Sequence, residues 1–150
     1  MSISVSKQSV CNVYKTVNNI GMSKKAIQHI VFFVLDDLGV TGSVSVNYIG
    51  DAKMQTLNKR YRGKNSTTDV LSFAAQEGDD MFFPNDDLGD IFISVKQIER
   101  QAKEYGVPYK EEATRMLVHG VLHLLGYDHI KPRDAKKMFG LQEKFVHKCI

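Results

Sequence analysis

The stretch His119-Gly120-Val121-Leu122-His123-Leu124-Leu125-Gly126-Tyr127-Asp128-His129 encodes an element and a site together. Residues four apart in a helix lie one above the other on a single face, so His119 and His123 can aim their imidazoles at one ion. Gly126 is the residue best able to leave that helix in a left-handed conformation, and three further residues bring the chain back with a third imidazole, His129. Three neutral nitrogen ligands with an open fourth position describe a catalytic zinc centre rather than a closed structural one. A lone histidine beside apolar residues is usually a packed or solvated side chain. His29 and His147 have no such company and are read as exposed helix residues.

The spacing H-x-x-x-H-x-x-G-x-x-H matches the long zinc motif of metalloproteases, except that Gly120 stands where those enzymes carry a Glu. Peptide hydrolysis needs a base for the water proton and an acid for the leaving amine, and a glycine is neither. A phosphodiester asks instead for a metal that draws charge from the phosphoryl oxygens and a guanidinium that clamps the anion. The missing carboxylate therefore points to phosphoryl chemistry. Cations are at hand in Asn58-Lys59-Arg60-Tyr61-Arg62-Gly63-Lys64-Asn65, and the hydroxyls and turn backbone of Ser66-Thr67-Thr68-Asp69 could hold a phosphate. By composition alone such a run is more often a solvated basic loop. Asp128 either orients a ligand ring or closes the turn.

Outward from this stretch, Ala113, Met116, Leu117, Gly120 and Leu124 share one helical stripe, with Pro108 just before or inside the first turn. Ile27, Ile30, Val31, Val34 and Leu38 predict a helix over 23–38 capped by Ser23. Val44, Val46 and Tyr48 alternate with Ser45 and Asn47, which predicts a half-buried strand over 43–49. Asp51 is expected to cap a short helix to Arg60. Residues 70–73 and 90–93 read as strands, separated by an acidic, turn-rich loop with Asp79, Asp80, Asn85, Asp86 and Asp87. Ser94 looks like the cap of a helix that runs to Tyr105 and stops at Gly106. A last helix, from about Arg133 to Val146 or slightly beyond, presents Met138, Leu141 and Phe145 to a core. This order predicts a single α+β domain over residues 1–150, with one mixed sheet of about four strands, helices packed on it, and a zinc site at a helix and its following turn.

With 150 residues, 43% of them apolar and 25% charged, the chain has the balance of one globular domain and not of a disordered or fibrous protein. The formal charge of +3 and pI near 8.8 suit a polyanionic substrate without establishing one. Met1-Ser2-Ile3-Ser4-Val5-Ser6-Lys7 lacks a charged leader followed by an apolar run, and the longest apolar stretch, Ile30 to Leu35, ends at Asp36 and Asp37. No secretory signal or membrane span is expected, and a cytoplasmic location follows. Cys11 and Cys149, at opposite ends of the chain, read as reduced and partly buried thiols.

Three blocks together resemble the YbeY family of bacterial rRNA-maturation endoribonucleases, over most of the chain. They are the His119 to His129 run, the stretch Leu57-Asn58 through Tyr61-Arg62-Gly63-Lys64 to Thr68-Asp69-Val70-Leu71-Ser72-Phe73, and Leu88-Gly89-Asp90-Ile91. The resemblance implies a three-histidine zinc site in a cleft that acts on single-stranded RNA in ribosomal RNA processing and ribosome quality control. It makes His119, His123 and His129 the ligands and places Arg62 on the family's functional arginine, beside the phosphate. The expected substrate contacts are Arg62, Lys64, Thr68 and Ser72. Ribosomal proteins and a ribosome-assembly GTPase are the partners the family suggests. Two positions depart from the family pattern: Thr67 stands where a proline is usual and Asn65 where an aspartate is. A threonine leaves the substrate loop more freedom than a proline would.

Two other readings stay open on sequence. One is a zinc peptidase or amidase whose base comes from elsewhere, such as Asp90, Glu111 or Asp128. The other is a ribosome-associated binding module in which zinc staples the last two helices. Three imidazoles also suit nickel, cobalt or iron.

Overall fold

The alternation along 43–49 becomes a strand whose Val44, Val46 and Tyr48 are buried while Ser45 and Asn47 stay partly exposed. It is the second of four strands in the computed structural model, which describes residues 8–75 and 86–150. In chain order the elements are β1 (Val10–Lys15), α1 (Lys24–Asp37), β2 (Ser43–Ile49), α2 (Asp51–Arg62), β3 (Val70–Ala74), β4 (Asp87–Ser94), α3 (Val95–Tyr105), α4 (Tyr109–Leu124) and α5 (Pro132–Cys149). The strands form one sheet ordered β1-β2-β4-β3, with β1–β2 and β2–β4 parallel and β3–β4 antiparallel. The α+β class with one mixed sheet is what the chain builds.

Because side chains alternate across a strand, the two faces of the sheet feed two cores. Val70, Ile91 and Ile93 face the larger one, which α1 and α4 complete with Ile27, Val31, Val34, Leu117, Val121 and Leu124. Leu71, Phe73 and Phe92 point the other way, onto Met54 and Leu57 of α2. α4 is the hub. It packs on α1, α3, α5, β3 and β4, and each fully buried Leu or Val it contributes stabilises the fold by about 1.5–3 kcal/mol. A helix held on so many sides fixes the direction of the few side chains it turns toward solvent.

The sequence pattern gives no strand at Val10–Lys15. Cys11 and Val13 face the core while the equally apolar Val10 and Tyr14 are about half exposed, so apolar and polar residues do not alternate along this edge strand, which is defined by backbone pairing with β2. Asp51 is not a cap. Gly50 occupies that position without a side-chain bond, and the Asp51 carboxylate instead accepts from Arg100 at 2.8 and 2.9 Å, Ser94 Oγ at 3.0 Å and Thr67 Oγ1 at 3.2 Å. A guanidinium fork offers that carboxylate stronger, charge-assisted bonds than a backbone amide does. Ser23 and Ser94 do cap their helices, accepting from Ala26 N–H at 3.1 Å and Gln97 N–H at 3.4 Å.

Element ends shift outward by a few residues: α2 continues to Arg62, β4 begins at Asp87 and α5 runs over Pro132–Cys149. Within the acidic loop, Asp79, Asp80 and Asn85 lie outside the described residues, as does the leading segment 1–7. Both cysteines are free. Cys11 is buried, with its thiol pushed up to about 11 by burial, and Cys149 is partly buried. No helix among the described residues is long and apolar enough to cross a membrane.

Candidate metal centre

α4 presents His119 and His123 one turn apart, with their Nε2 atoms 3.1 Å from each other. After His123 the helix closes in a Schellman turn, in which Tyr127 N–H donates to Leu122 O and Gly126 N–H to His123 O, each at 3.0 Å. Gly126 sits at φ 94, a backbone conformation a side chain would strain. Asp128 Oδ1 then accepts from the N–H groups of His129 at 2.6 Å and Ile130 at 3.1 Å. Of the two roles open to it, Asp128 takes the turn-closing one.

This turn sets the His129 ring centroid 5.4 Å from that of His119 and 4.9 Å from that of His123. One ring nitrogen from each of the three lies within 4.8 Å of the others. Zinc–imidazole bonds of about 2.0–2.1 Å set neighbouring nitrogens of a tetrahedral site about 3.4 Å apart. The His119–His123 pair, at 3.1 Å, is slightly inside that spacing, and the donor set is all imidazole.

Electrostatics keep these rings in the form a metal needs. Burial pushes His119 below its ordinary value, with partial opposition from Gln142 and Asp69. Burial, and then the neighbouring His119 and His129, push His123 down to about 4. Both side chains are therefore neutral at pH 7, with lone pairs free for coordination.

The ring of His119 is oriented by a residue the sequence reading misses. Gln142 of α5, 5% exposed, sets its Oε1 2.6 Å from His119 Nδ1. A carbonyl oxygen only accepts, so Nδ1 carries the proton and Nε2 turns its lone pair toward the other imidazoles. The Gln142 amide is held in turn, its Nε2 donating at 3.5 Å to Glu143, whose carboxylate takes Arg115 Nε at 2.9 Å. Arg115 Nη1 donates at 2.9 Å to Glu112, which is fully buried and also accepts from Gln101 at 2.9 Å. The signal available in sequence was a polar residue inside the apolar register Met138, Leu141, Phe145.

Gly120 is explained by space. A Cβ there would lie 2.8 Å from Ile91 Cγ2 and 3.3 Å from Ser72 Oγ. Ser72 Oγ donates to Gly120 O at 3.0 Å, so β3 is pinned against α4 at the one position where the helix has no side chain. A glutamate of the metalloprotease kind has no room. Of the other candidate bases, Asp90 and Glu111 lie outside the residues that line the metal cleft, and Asp128 lines it with its Oδ1 engaged by the turn.

That cleft, about 870 Å³, brings the three histidines together with Arg62, Lys64, Thr68, Asp69 and Ser72. Arg62 ends α2, and Gly63 at φ 71 turns the chain so that Lys64 follows it along the rim. Asn58, buried, donates to Ser66 O at 2.8 Å, and Gln55 donates to Asn65 Oδ1 at 3.0 Å. With the Thr67–Asp51 bond, these contacts tether to α2 a loop that lacks the stiffening proline. Ser72 lines the cleft, but its hydroxyl is engaged by Gly120 O. Thr68 Oγ1 bonds Asp69 Oδ1 at 3.4 Å. Phe139, Tyr127 and Ile130 add an apolar wall, and His29 and His147 stay exposed and apart from it.

Comparison with known proteins matches the family model "Endoribonuclease YbeY" to residues 10–150. A Macrococcus caseolyticus protein of that description is 40% identical over 126 residues, covering 81% of this chain and 82% of its own length. A Lactobacillus helveticus relative of the same description is 42% identical over 115 residues, or 71% of this chain and 66% of its own. Among solved structures, a Thermotoga maritima protein determined in solution aligns with TM-score 0.66 and 25% identity over 93% of this chain and 89% of its own.

Proposed function

Since the chain belongs to the Endoribonuclease YbeY family, we propose that it is a zinc-dependent, single-strand-specific endoribonuclease of rRNA maturation and ribosome quality control. The observation that carries this reading is the convergence of three imidazoles and the Arg62–Lys64 cations on one cleft. When bound by His119, His123 and His129, the divalent ion supplies Lewis-acid polarisation of a phosphoryl oxygen and lowers the pKa of water.

The remaining work falls to the chain itself. Arg62 offers a planar fork to two phosphoryl oxygens, a geometry that gains strength as charge builds on them. Lys64 neutralises the adjoining phosphate, and Thr68 presents a hydroxyl on the same wall. Gln142 keeps the His119 proton on Nδ1, away from the ion. The reading places the protein in the cytoplasm, with precursor rRNA as substrate and ribosomal proteins and a ribosome-assembly GTPase as partners.

Its test is cleavage of a single-stranded RNA by the Arg62→Ala protein. Arg62→Ala should retain the metal and lose roughly 100-fold or more in cleavage, in line with removal of one preorganised charge-stabilising group. Cleavage at the unaltered rate would remove Arg62 from the mechanism. Peptide cleavage blocked by chelator, with RNA left intact, would move the protein to the amidase class.

A further inference from the structure

The outward face of α5 is charged in a way the metal site does not use. At about 100° per residue, Arg133, Lys136, Lys137, Gly140, Lys144 and Lys148 fall within an arc of about 120°. Met138, Gln142, Phe145 and Val146 occupy the opposite, buried side. α5 carries five Lys and Arg against two acids, Asp134 and Glu143, a surplus equal to the whole chain's formal +3. The rest of the molecule is balanced. Among the described residues none of the five cations joins an ion pair, and Glu143 is already engaged by Arg115.

Gly140 lies in the middle of this stripe. A glycine in a helix interior costs stability, yet a Cβ added there would meet no atom within 4 Å, so packing inside the protein gives no reason for it. An external chain that must approach the helix closely does give one. The stripe also joins the cleft. Lys137 Nζ sits 5.9 Å from the ring centroid of Tyr127, and Tyr127 lines the cleft, as does Phe139 of the same helix.

From these features we infer that the outward face of α5 is a track for the phosphodiester backbone of single-stranded RNA running out of the metal cleft. The inference rests on the RNA-cleaving function proposed above and extends it to substrate reach. From Arg133 to Lys148 the stripe is about 22 Å long, enough for several successive phosphates. A membrane surface is the poorer occupant, because a helix lying in the interface needs an apolar face toward lipid and this arc contains none.

The experiment compares the full-length protein with two variants, Lys136→Gln/Lys144→Gln/Lys148→Gln and Gly140→Ala. Binding of a labelled single strand of about 20 nucleotides, with chelator present to prevent cutting, is followed by anisotropy as salt is varied; each lost phosphate contact should flatten the log–log slope by about 0.7. The triple variant should bind about tenfold more weakly, with a slope shallower by about 2. The metal-loaded triple variant should still cut a dinucleotide, whose single phosphodiester lies in the cleft and leaves none for the stripe, at the wild-type rate. Gly140→Ala should raise the melting temperature and still weaken binding of the long strand, a pairing that a fold defect does not produce. Unchanged affinity and slope in both variants would overturn the track while leaving the cleft's function standing. A wild-type protein that binds no RNA overturns both. Binding to anionic vesicles that the triple variant loses, with RNA affinity intact, assigns the face to a membrane and likewise overturns it.

Discussion

Gln142 Oε1 stands 2.6 Å from His119 Nδ1, a contact between α5 and α4 that fixes the tautomer of one imidazole in the metal centre. Removing such an orienting partner commonly costs 10–100-fold in metal affinity. Gln142→Ala should weaken zinc binding by about that factor in competition with a chromogenic chelator. Gln142→Glu, which still accepts from Nδ1–H, should restore it. Equal affinity in all three proteins would show that the ring needs no such support.

Gly120→Ala tests the packing of α4 on the sheet. The added methyl meets Ile91 Cγ2 at 2.8 Å, inside a core with little freedom to yield. Overpacking of this kind costs about 1–3 kcal/mol, offset by the roughly 1 kcal/mol that alanine gains over glycine as a helix former. A net loss in urea denaturation, larger in Gly120→Val, is the expected result. A more stable Gly120→Ala protein would contradict the close approach.

Protonation gives the metal-free protein a predictable acid response. His123 titrates at about 4 when folded and near 6.5 when unfolded, so the unfolded chain takes up its proton first as pH falls. The stabilisation is complete above about pH 6.5 and disappears between there and pH 4, at no more than about 1.4 kcal/mol per pH unit. Chelator-treated protein should lose urea resistance from pH 7 to 5, and His123→Ala should lose less over the same interval. Identical pH dependence in the two proteins would refute the depressed imidazole.

Arg115 compensates a charge that cannot reach water. Glu112 is 1% exposed and keeps only Gln101 when the guanidinium is gone. Arg115→Met should therefore destabilise by about 3–5 kcal/mol, the range for stranding one member of a buried pair. Adding Glu112→Gln to it should recover much of the loss, because no buried charge then remains. A single-variant loss below about 1 kcal/mol would mean that the carboxylate finds another partner or a proton.

What the sequence made legible was what is local in the chain. His119, His123, Gly126 and His129 lie within eleven residues, so helix geometry and one left-handed turn suffice to bring the rings together. Caps such as Ser23 and Ser94 act over three residues and are read with equal ease. Gln142 escaped because its contact spans 23 residues and depends on how α5 leans on α4. Asp51 misled for the same reason, its carboxylate being claimed by Arg100 from 49 residues away. β1, mostly exposed, has its place fixed by hydrogen bonds that no side-chain pattern records.

In the function proposed for the cleft, RNA cleavage depends on a divalent ion held by His119, His123 and His129. Elemental analysis and RNA cleavage on the same preparations of wild-type and His123→Ala protein, purified without added metal, test it most directly. One zinc per chain with active wild type, against loss of both in a folded His123→Ala protein, is the predicted result. Metal-free His123→Ala protein that cuts RNA at the wild-type rate would contradict it.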